Sequence, residues 1–240
     1  MNIRKFCNTD FAYWIGIIQT DGYFQHYEYN KKKMVLARAF NKNLAIIERF
    51  KDISYRLFNR KSKIVKYKDR SAMEYRIGVK EFVPLFHKLK IKLSKPPTPP
   101  NWILNSNKFF GAYLAAIIDG DGGVRIKRYK YPQCVIRIIS GEFPHKLSKA
   151  VERILRCSIY SEYRERTTFI GNRKISGKSY TLEFNITKKN IGFVKNFILP
   201  HIVSSHKSDK IKEFLIMKDY QFMTRSSSSP CNASIFHADH

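Results

Sequence analysis

Acidic residues are scarce in this chain. Its 240 residues hold 19 Asp and Glu against 45 Lys and Arg, a formal net charge of +26. An excess that large repels itself and calls for a polyanionic partner. Long apolar runs are also missing. The longest, Phe11 to Ile18, is far short of the roughly 20 residues that a membrane-spanning helix needs. No basic amphipathic helix of the kind that lies on a bilayer is found either, so a membrane partner is not expected. The opening segment MNIRKFCNTD lacks the apolar stretch and small-residue cleavage site of a signal peptide. An intracellular protein is therefore expected, with cytoplasm or organelle left open. Cysteine is sparse: Cys7, Cys134, Cys157 and Cys231 are scattered and form no CxxC. Reduced thiols are expected rather than disulfides or a zinc site.

The basic residues that are present do not form a tail. They alternate with aromatic and aliphatic residues, as in KSKIVKYKDR and RIKRYKYPQCVIRI. That pattern is the electrostatic footprint of nucleic-acid binding.

The chain also repeats itself. AYWIGIIQTDGYF starts at Ala12 and AYLAAIIDGDGGV at Ala112. Without a gap, Ala12 matches Ala112, Tyr13 matches Tyr113, Ile17 and Ile18 match Ile117 and Ile118, and Asp21-Gly22 match Asp121-Gly122. The chain thus reads as two related halves. After its aspartate each half runs hairpin, helix, hairpin, helix. The first half has Tyr23–Tyr29 with Met34–Phe40, NLAIIERFKDISYRLF, Lys63–Lys68 with Tyr75–Lys80, and EFVPLFHKLKI. The second has Val124–Lys130 with Gln133–Ile139, HKLSKAVERILR, Ser158–Arg166 with Tyr180–Thr187, and closing helices KNIGFVKNFIL and DKIKEFLIMKDYQF. The expected class is α+β, two αββαββα halves with a four-stranded antiparallel sheet each. The expected boundaries are 1–93, a linker over 94–102, 103–222, and a polar tail over 223–240 expected to be disordered. The linker carries Pro96, Pro97, Pro99 and Pro100, a density that suits a stiff extended spacer.

Two aspartates at helix C-termini are electrostatically misplaced. Small residues offer a reason. Ala12, Gly16 and Thr20 are spaced by four, as are Ala112, Ala116 and Gly120. Each set forms one smooth helix face, which lets two helices approach closely. The interface expected from Ala12, Gly16, Ala112 and Ala116 brings Asp21 and Asp121 to the same end, with Gly22 and Gly122 as helix-stopping residues. Two carboxylates there need cations. Mg²⁺ suits them, with the carbonyls of Thr20 and Gly120 as added ligands.

WIGIIQTDG and LAAIIDGDG resemble the two copies of the motif that names the LAGLIDADG homing endonucleases, in their single-chain form. The second copy is the closer match; the first departs at Trp14 and at Gln19, where the motif often has its first acid. The resemblance covers nearly the whole chain. It implies a site-specific, metal-dependent endonuclease, intron- or intein-associated. Such an enzyme lays two sheets along the major groove of a long, pseudo-palindromic or asymmetric DNA site. It cuts both strands across the minor groove and leaves 3′ overhangs. Mg²⁺ or another divalent ion such as Mn²⁺ is implied, with Ca²⁺ binding but not supporting efficient cleavage. Asp21 and Asp121 take the catalytic, metal-binding role. Asn41 and Ser140 are candidates for positioning water, and Lys95 and Lys207 for the lysine of each half. An RNA-binding maturase that acts on its host intron RNA is the alternative. Both acids are retained, which favours the nuclease.

Strand alternation selects the DNA face. With Val35, Ala37, Ala39, Ile136 and Ile138 turned inward, Arg38 and Arg137 turn outward. The same reasoning adds Lys66, Lys68, Arg76, Arg125, Lys127, Arg164 and Arg166. A chain holding both halves is expected to act as a monomer.

Overall fold

The structure is a computed structural model that describes residues 5–29, 31–68, 71–92, 94–128, 131–170 and 173–226. The first half runs α1 (Thr9–Thr20), β1 (Gly22–Tyr29), β2 (Lys32–Asn41), α2 (Leu44–Phe58), β3 (Val65–Lys66), β4 (Met73–Gly78) and α3 (Val83–Lys88). A short helix α4 (Asn101–Leu104) follows the prolines. The second half runs α5 (Asn107–Asp121), β5 (Gly122–Lys127), β6 (Gln133–Ser140), α6 (His145–Leu155), β7 (Tyr160–Ile170) and β8 (Arg173–Ile186). It closes with α7 (Ile191–Phe193) and α8 (Ser205–Ser226). Each half holds one four-stranded antiparallel sheet, ordered β1-β2-β4-β3 and β5-β6-β8-β7. None of the described helices is long and apolar enough to cross a membrane.

Both motif helices start on a side-chain cap: Asn8 accepts from the Phe11 amide, and Ser106 accepts from the Phe109 amide. Phe11 to Thr20 and Phe110 to Asp119 are buried without a break. A helix enclosed on all sides has no polar face, which is why these segments show apolar runs rather than an amphipathic period. The inner faces of the sheets supply Ala37, Ala39, Tyr75 and Ile77 in one half, and Ile136, Ile138, Leu182 and Phe184 in the other.

The departure of the first motif at Trp14 has a local cause. Its ring stacks on Phe50 with centroids 5.4 Å apart, and its Nε1 donates to Ser54 Oγ at 2.9 Å. Phe11, Phe58 and Phe86 complete an aromatic core in the first half. The corresponding Leu114 is fully buried as well, as are Leu147 and Val151 of α6.

Several boundaries differ from the sequence expectations. The strand expected over Lys63–Lys68 is reduced to Val65–Lys66, whereas the second hairpin of the other half extends to Tyr160–Ile170 with Arg173–Ile186. The segment expected as one helix over KNIGFVKNFIL is α7, then a π turn over Val194–Ile198 and a 3₁₀ turn over Leu199–His201. Helix α8 reaches Ser226, and residues 227–240 of the expected tail lie outside the described residues.

Candidate catalytic centre and nucleic-acid interface

The approach of α1 to α5 is as close as backbone allows. A Cβ on Gly16 would stand 2.6 Å from Ala116 Cβ and 2.9 Å from the Tyr113 carbonyl oxygen. At the far end of the pair, a Cβ on Gly120 would stand 2.3 Å from Thr20 Oγ1 and 3.1 Å from Asp21 Oδ2. The Asp21 carboxylate therefore lies against the end of α5, whose last residue is Asp121. Ala12 and Ala112 are fully buried on the same two helices.

Gly22 and Gly122 need a different account from the helix-stopping one. Gly122 caps α5 in an extended conformation (φ −94°, ψ 161°), not a left-handed one, and Gly22 opens β1 after Asp21 (φ −90°, ψ 5°). What requires glycine is space. A Cβ would meet the Ile18 Cα at 2.7 Å in one half and the Ile118 Cα at 2.5 Å in the other. The absent side chain lets the chain double straight back from helix to strand.

Asp21 caps α1, donating its amide to the Ile17 carbonyl, and its own carbonyl accepts from the Phe40 amide at 2.9 Å. Its Oδ2 accepts from Asn41 Nδ2 at 2.5 Å. Burial, together with the nearby Asp121 charge, pushes the Asp21 carboxyl up to about 6, against the lowering effect of Asn41, Lys95 and Lys207. Burial likewise raises Asp121, opposed by Lys95 and Lys207. The Asp21 side opens into a cleft lined by Thr20, Tyr23, Phe40, Ser94 and Lys95.

The two halves are not equivalent. Lys95 is half exposed, with its Nζ 4.0 Å from Asp121 Oδ2. Lys207 is turned inward and donates to the carbonyls of Ile118 and Asp119 at 2.6 and 2.7 Å, so it caps the last turn of α5. Burial pulls the Lys207 ammonium below its usual range, opposed by Asp119, Asp21 and Asp121. Asn41 ends β2 and reaches its aspartate. Ser140 ends β6 in the matching place, but its hydroxyl is buried and has no hydrogen-bond partner among the described residues. A serine side chain is shorter than an asparagine one, and here it does not span the gap to Asp121.

A second set of residues carries the site and had no role in the sequence reading. Tyr13 on α1 donates to Asp119 Oδ2 on α5 at 2.8 Å, and Tyr113 on α5 donates to Gln19 Oε1 on α1 at 2.6 Å. Each acceptor also fastens a loop. Asp119 accepts from the amides of Val203 and Ser204, just before Lys207. Gln19 accepts from the Thr98 amide and donates to the Lys92 carbonyl, on either side of Lys95. A glutamine serves where an acid stands in the other copy because Gln19 must also donate. The repeated Ala-Tyr pair at 12–13 and 112–113 was the available signal. Replacing Asp119 by alanine strands three donors, two of them buried. We expect a loss of about 2–4 kcal/mol, read by thermal denaturation, with Tyr13→Phe costing about 1 kcal/mol. An Asp119→Ala melting point equal to that of the wild type would remove this brace.

The outer sheet faces carry most of the expected basic residues. Arg38 faces Arg76 across β2 and β4. Arg125 and Lys127 pair with Val135 and Gln133, on the face of Arg137. Arg164 pairs with Ser179 on that same face, and its Nε donates to Glu162. Arg166 pairs with Gly177 through its backbone; its side chain lies outside the described residues. Lys66 and Lys68 are exposed, but they follow a different phase from the other expected residues. Lys66 pairs with Met73, whose neighbours Tyr75 and Ile77 face the core, so the register turns Val65 and Tyr67 outward instead. Lys68 follows β3, on the alternation of Lys66, and is exposed beyond the end of that strand. Alternation gave the period in this short strand, but only pairing fixes the phase.

The sequence matches no protein-family model and no curated protein sequence. The fold does have solved counterparts. A structure of a mesophilic variant of the homing endonuclease I-DmoI superposes with a TM-score of 0.52 at 17% identity, over 81% of this chain and 97% of that one. The LAGLIDADG homing endonuclease I-LtrWI bound to target DNA superposes at 0.51 with 12% identity, over 95% and 94% of the two chains. An I-DmoI variant in complex with its target DNA in the presence of Mg gives 0.51 at 15% identity, over 81% and 97%. With two motif helices packed at the centre and a four-stranded sheet on each, the chain has the two-motif LAGLIDADG fold of the single-chain homing endonucleases.

Proposed function

We propose that this protein is a site-specific, divalent-metal-dependent endonuclease that cuts both strands of duplex DNA across the minor groove and leaves 3′ overhangs, as an intron- or intein-associated homing endonuclease does. The observation that carries this reading is the forced meeting of Asp21 and Asp121 at one end of two helices in backbone contact. Two partly buried carboxylates gain nothing structural from that position. Burial raises the proton affinity of both, the Asp121 charge adds to it at Asp21, and both face two helix C-termini. Support comes from the net charge of +26 and from basic side chains spread over the outer faces of both sheets. The DNA-bound state of I-LtrWI and the Mg present with I-DmoI point the same way.

The donor set fits a hard cation. Among the described residues no three His, Cys, Asp or Glu side chains gather at one point, so a closed protein cage is absent. Mg²⁺ commonly takes one or two carboxylates and completes its shell with water and phosphate oxygens. Asp21 and Asp121 would hold it, with the carbonyls of Thr20 and Gly120. Bound there, a divalent ion lowers the pKa of water and stabilises charge on the scissile phosphate. The chain's own residues do the rest. Asn41 orients the Asp21 carboxylate, Lys95 offsets charge beside Asp121, and Lys207 neutralises the end of α5. The linker lets one chain supply both halves, so a monomer suffices.

The test uses purified full-length chain and a plasmid that carries the uninterrupted version of the locus in which this gene is inserted. Linear product is expected in Mg²⁺ or Mn²⁺ and none with EDTA. Intact plasmid in both ions would overturn the nuclease reading.

A further inference from the structure

On the outer face of each sheet, an arginine near the motif helices is held by a glutamate of the neighbouring strand. Arg38 donates Nε to Glu74 Oε1 at 2.6 Å and Nη1 to Gln25 Oε1 at 2.8 Å. Its guanidinium also sits 5.3 Å from the centroids of the stacked Tyr23 and Phe40 rings. The Glu74 side chain is fully buried, and Tyr67 donates to its other oxygen. Burial pushes Glu74 up, and the bonds from Arg38 and Tyr67 more than reverse that, so the carboxyl lies below its usual range and the pair is ionised. In the other half Arg137 donates Nε to Glu183 Oε1 at 2.5 Å, and the side-chain exposures are 42% for the arginine and 16% for the glutamate.

The two pairs occupy matching places. Arg38 stands opposite Tyr23, two residues after Asp21, and Arg137 stands opposite Gly123, two residues after Asp121. Each therefore lies at the end of its sheet nearest the paired aspartates. In each half the glutamate comes from the next strand, β4 or β8. Arg38 lines an open concavity with Gln25, Arg60 and Arg76, and Arg137 lines one with Arg125 and Lys127.

Two acids on a face that otherwise collects positive charge weaken attraction to phosphate. A surface built only for backbone contact has no use for them, and an ion pair of this kind adds little stability over apolar packing. What a buried carboxylate does supply is a fixed guanidinium. A guanidinium has five N–H donors, and a carboxylate bonded at Nε fixes the plane in which the remainder lie. An arginine held in this way is suited to the O6 and N7 acceptors of guanine in the major groove.

We propose that Arg38 and Arg137 are the specificity-determining readers of a guanine at the inner end of each half-site, held in reading geometry by Glu74 and Glu183. This rests on the DNA-binding reading above. Glu74 and Glu183 are positioning residues, since they act through the arginines.

The test is selection of binding sites from a randomised duplex pool by the full chain in EDTA, so that cleavage plays no part. The wild type is expected to select guanine at one inner position in each half-site. Glu74→Gln is expected to reduce that preference roughly tenfold in its own half and to leave the other half intact. Glu183→Gln should give the mirror image. Affinity for unselected DNA should not fall in either, because a negative charge has been removed. Arg38→Lys and Arg137→Lys keep the charge and lose the fork, so they should lose the same preferences even if a glutamine variant folds poorly. Inner preferences that survive the glutamine and the lysine substitutions would overturn the assignment. So would a loss spread equally over both halves, which marks a general structural effect. A wild type that selects no sequence at all would instead bring down the DNA-targeting reading, and this one with it.

Discussion

Asp21→Asn and Asp121→Asn are each expected to abolish double-strand cleavage while the protein folds and binds its target as before. Asparagine keeps the shape of the side chain and removes the charge that holds a cation. Binding rests on the basic sheet faces and the net charge of +26, so it should persist and tighten somewhat without metal, where a carboxylate opposes phosphate. Stability should move upward. The folded-state pKa of Asp21 is raised from 3.8 to about 6. A group raised in this way stabilises the fold at low pH and loses that contribution as pH climbs through about 6, so at pH 7 the ionised form is a burden on the metal-free fold. A neutral asparagine relieves it by something on the order of 1–3 kcal/mol, reduced by the weaker bond that it takes from Asn41. The metal-free wild type should accordingly gain stability between pH 7 and pH 5, and Asp21→Asn should gain less. The measurement joins melting temperature, target affinity and cleavage in Mg²⁺ for each variant. An asparagine variant that still cuts both strands at the normal rate, or one that unfolds, would end the assignment of these residues as the metal centre.

The central helices and both sheets were legible because their signals are local or repeated. Small residues four apart mark a close helix face whatever surrounds them, and the ungapped match of Ala12–Gly22 with Ala112–Gly122 announces the second half. Inward and outward residues on β2 and β6 follow from alternation over long strands. The failures lie where long-range pairing decides. Nothing in KSKIVKYKDR states that Val65 will stand across from Glu74, so the phase that Lys66 follows could not be read. Gln19 looked like a departure from its motif because its partners, Thr98 and Lys92, lie more than seventy residues away. Glu74 and Glu183 were overlooked for a related reason. Among 45 basic residues the eye follows the majority charge, and a glutamate gains its meaning only when a neighbouring strand brings it an arginine. Asn41 and Ser140 occupy the same place in the two halves, yet only the longer side chain meets its aspartate.

Gly16→Leu is the substitution expected to damage the fold most, and it tests the architecture apart from the chemistry. The first carbon of the new side chain would already fall 2.6 Å from Ala116 Cβ and 2.9 Å from the Tyr113 carbonyl oxygen. Neither can yield, since both belong to the buried stretch of α5 from Phe110 to Asp119, and three further carbons must still be placed. The helices must therefore separate. That strains the crossing bonds from Tyr13 to Asp119 and from Tyr113 to Gln19, and carries Asp21 away from the end of α5. Overpacking typically costs about 1–3 kcal/mol, and a clash against backbone belongs at or above the top of that range. Cleavage should be lost with it, at temperatures where the fold persists, because the two carboxylates no longer share one site. Gly141→Ala is the control: a Cβ there meets nothing within 4 Å, and its melting point should stay within about 0.5 kcal/mol of the wild type. Gly16→Ala combined with Ala116→Gly separates the two contacts. It removes the Cβ–Cβ clash and leaves the carbonyl one, so the pair should recover part of the loss of Gly16→Ala alone, a coupling that appears only between touching residues. Purely additive effects in that cycle, or a Gly16→Leu protein that melts and cuts like the wild type, would mean that these helices do not meet at Gly16.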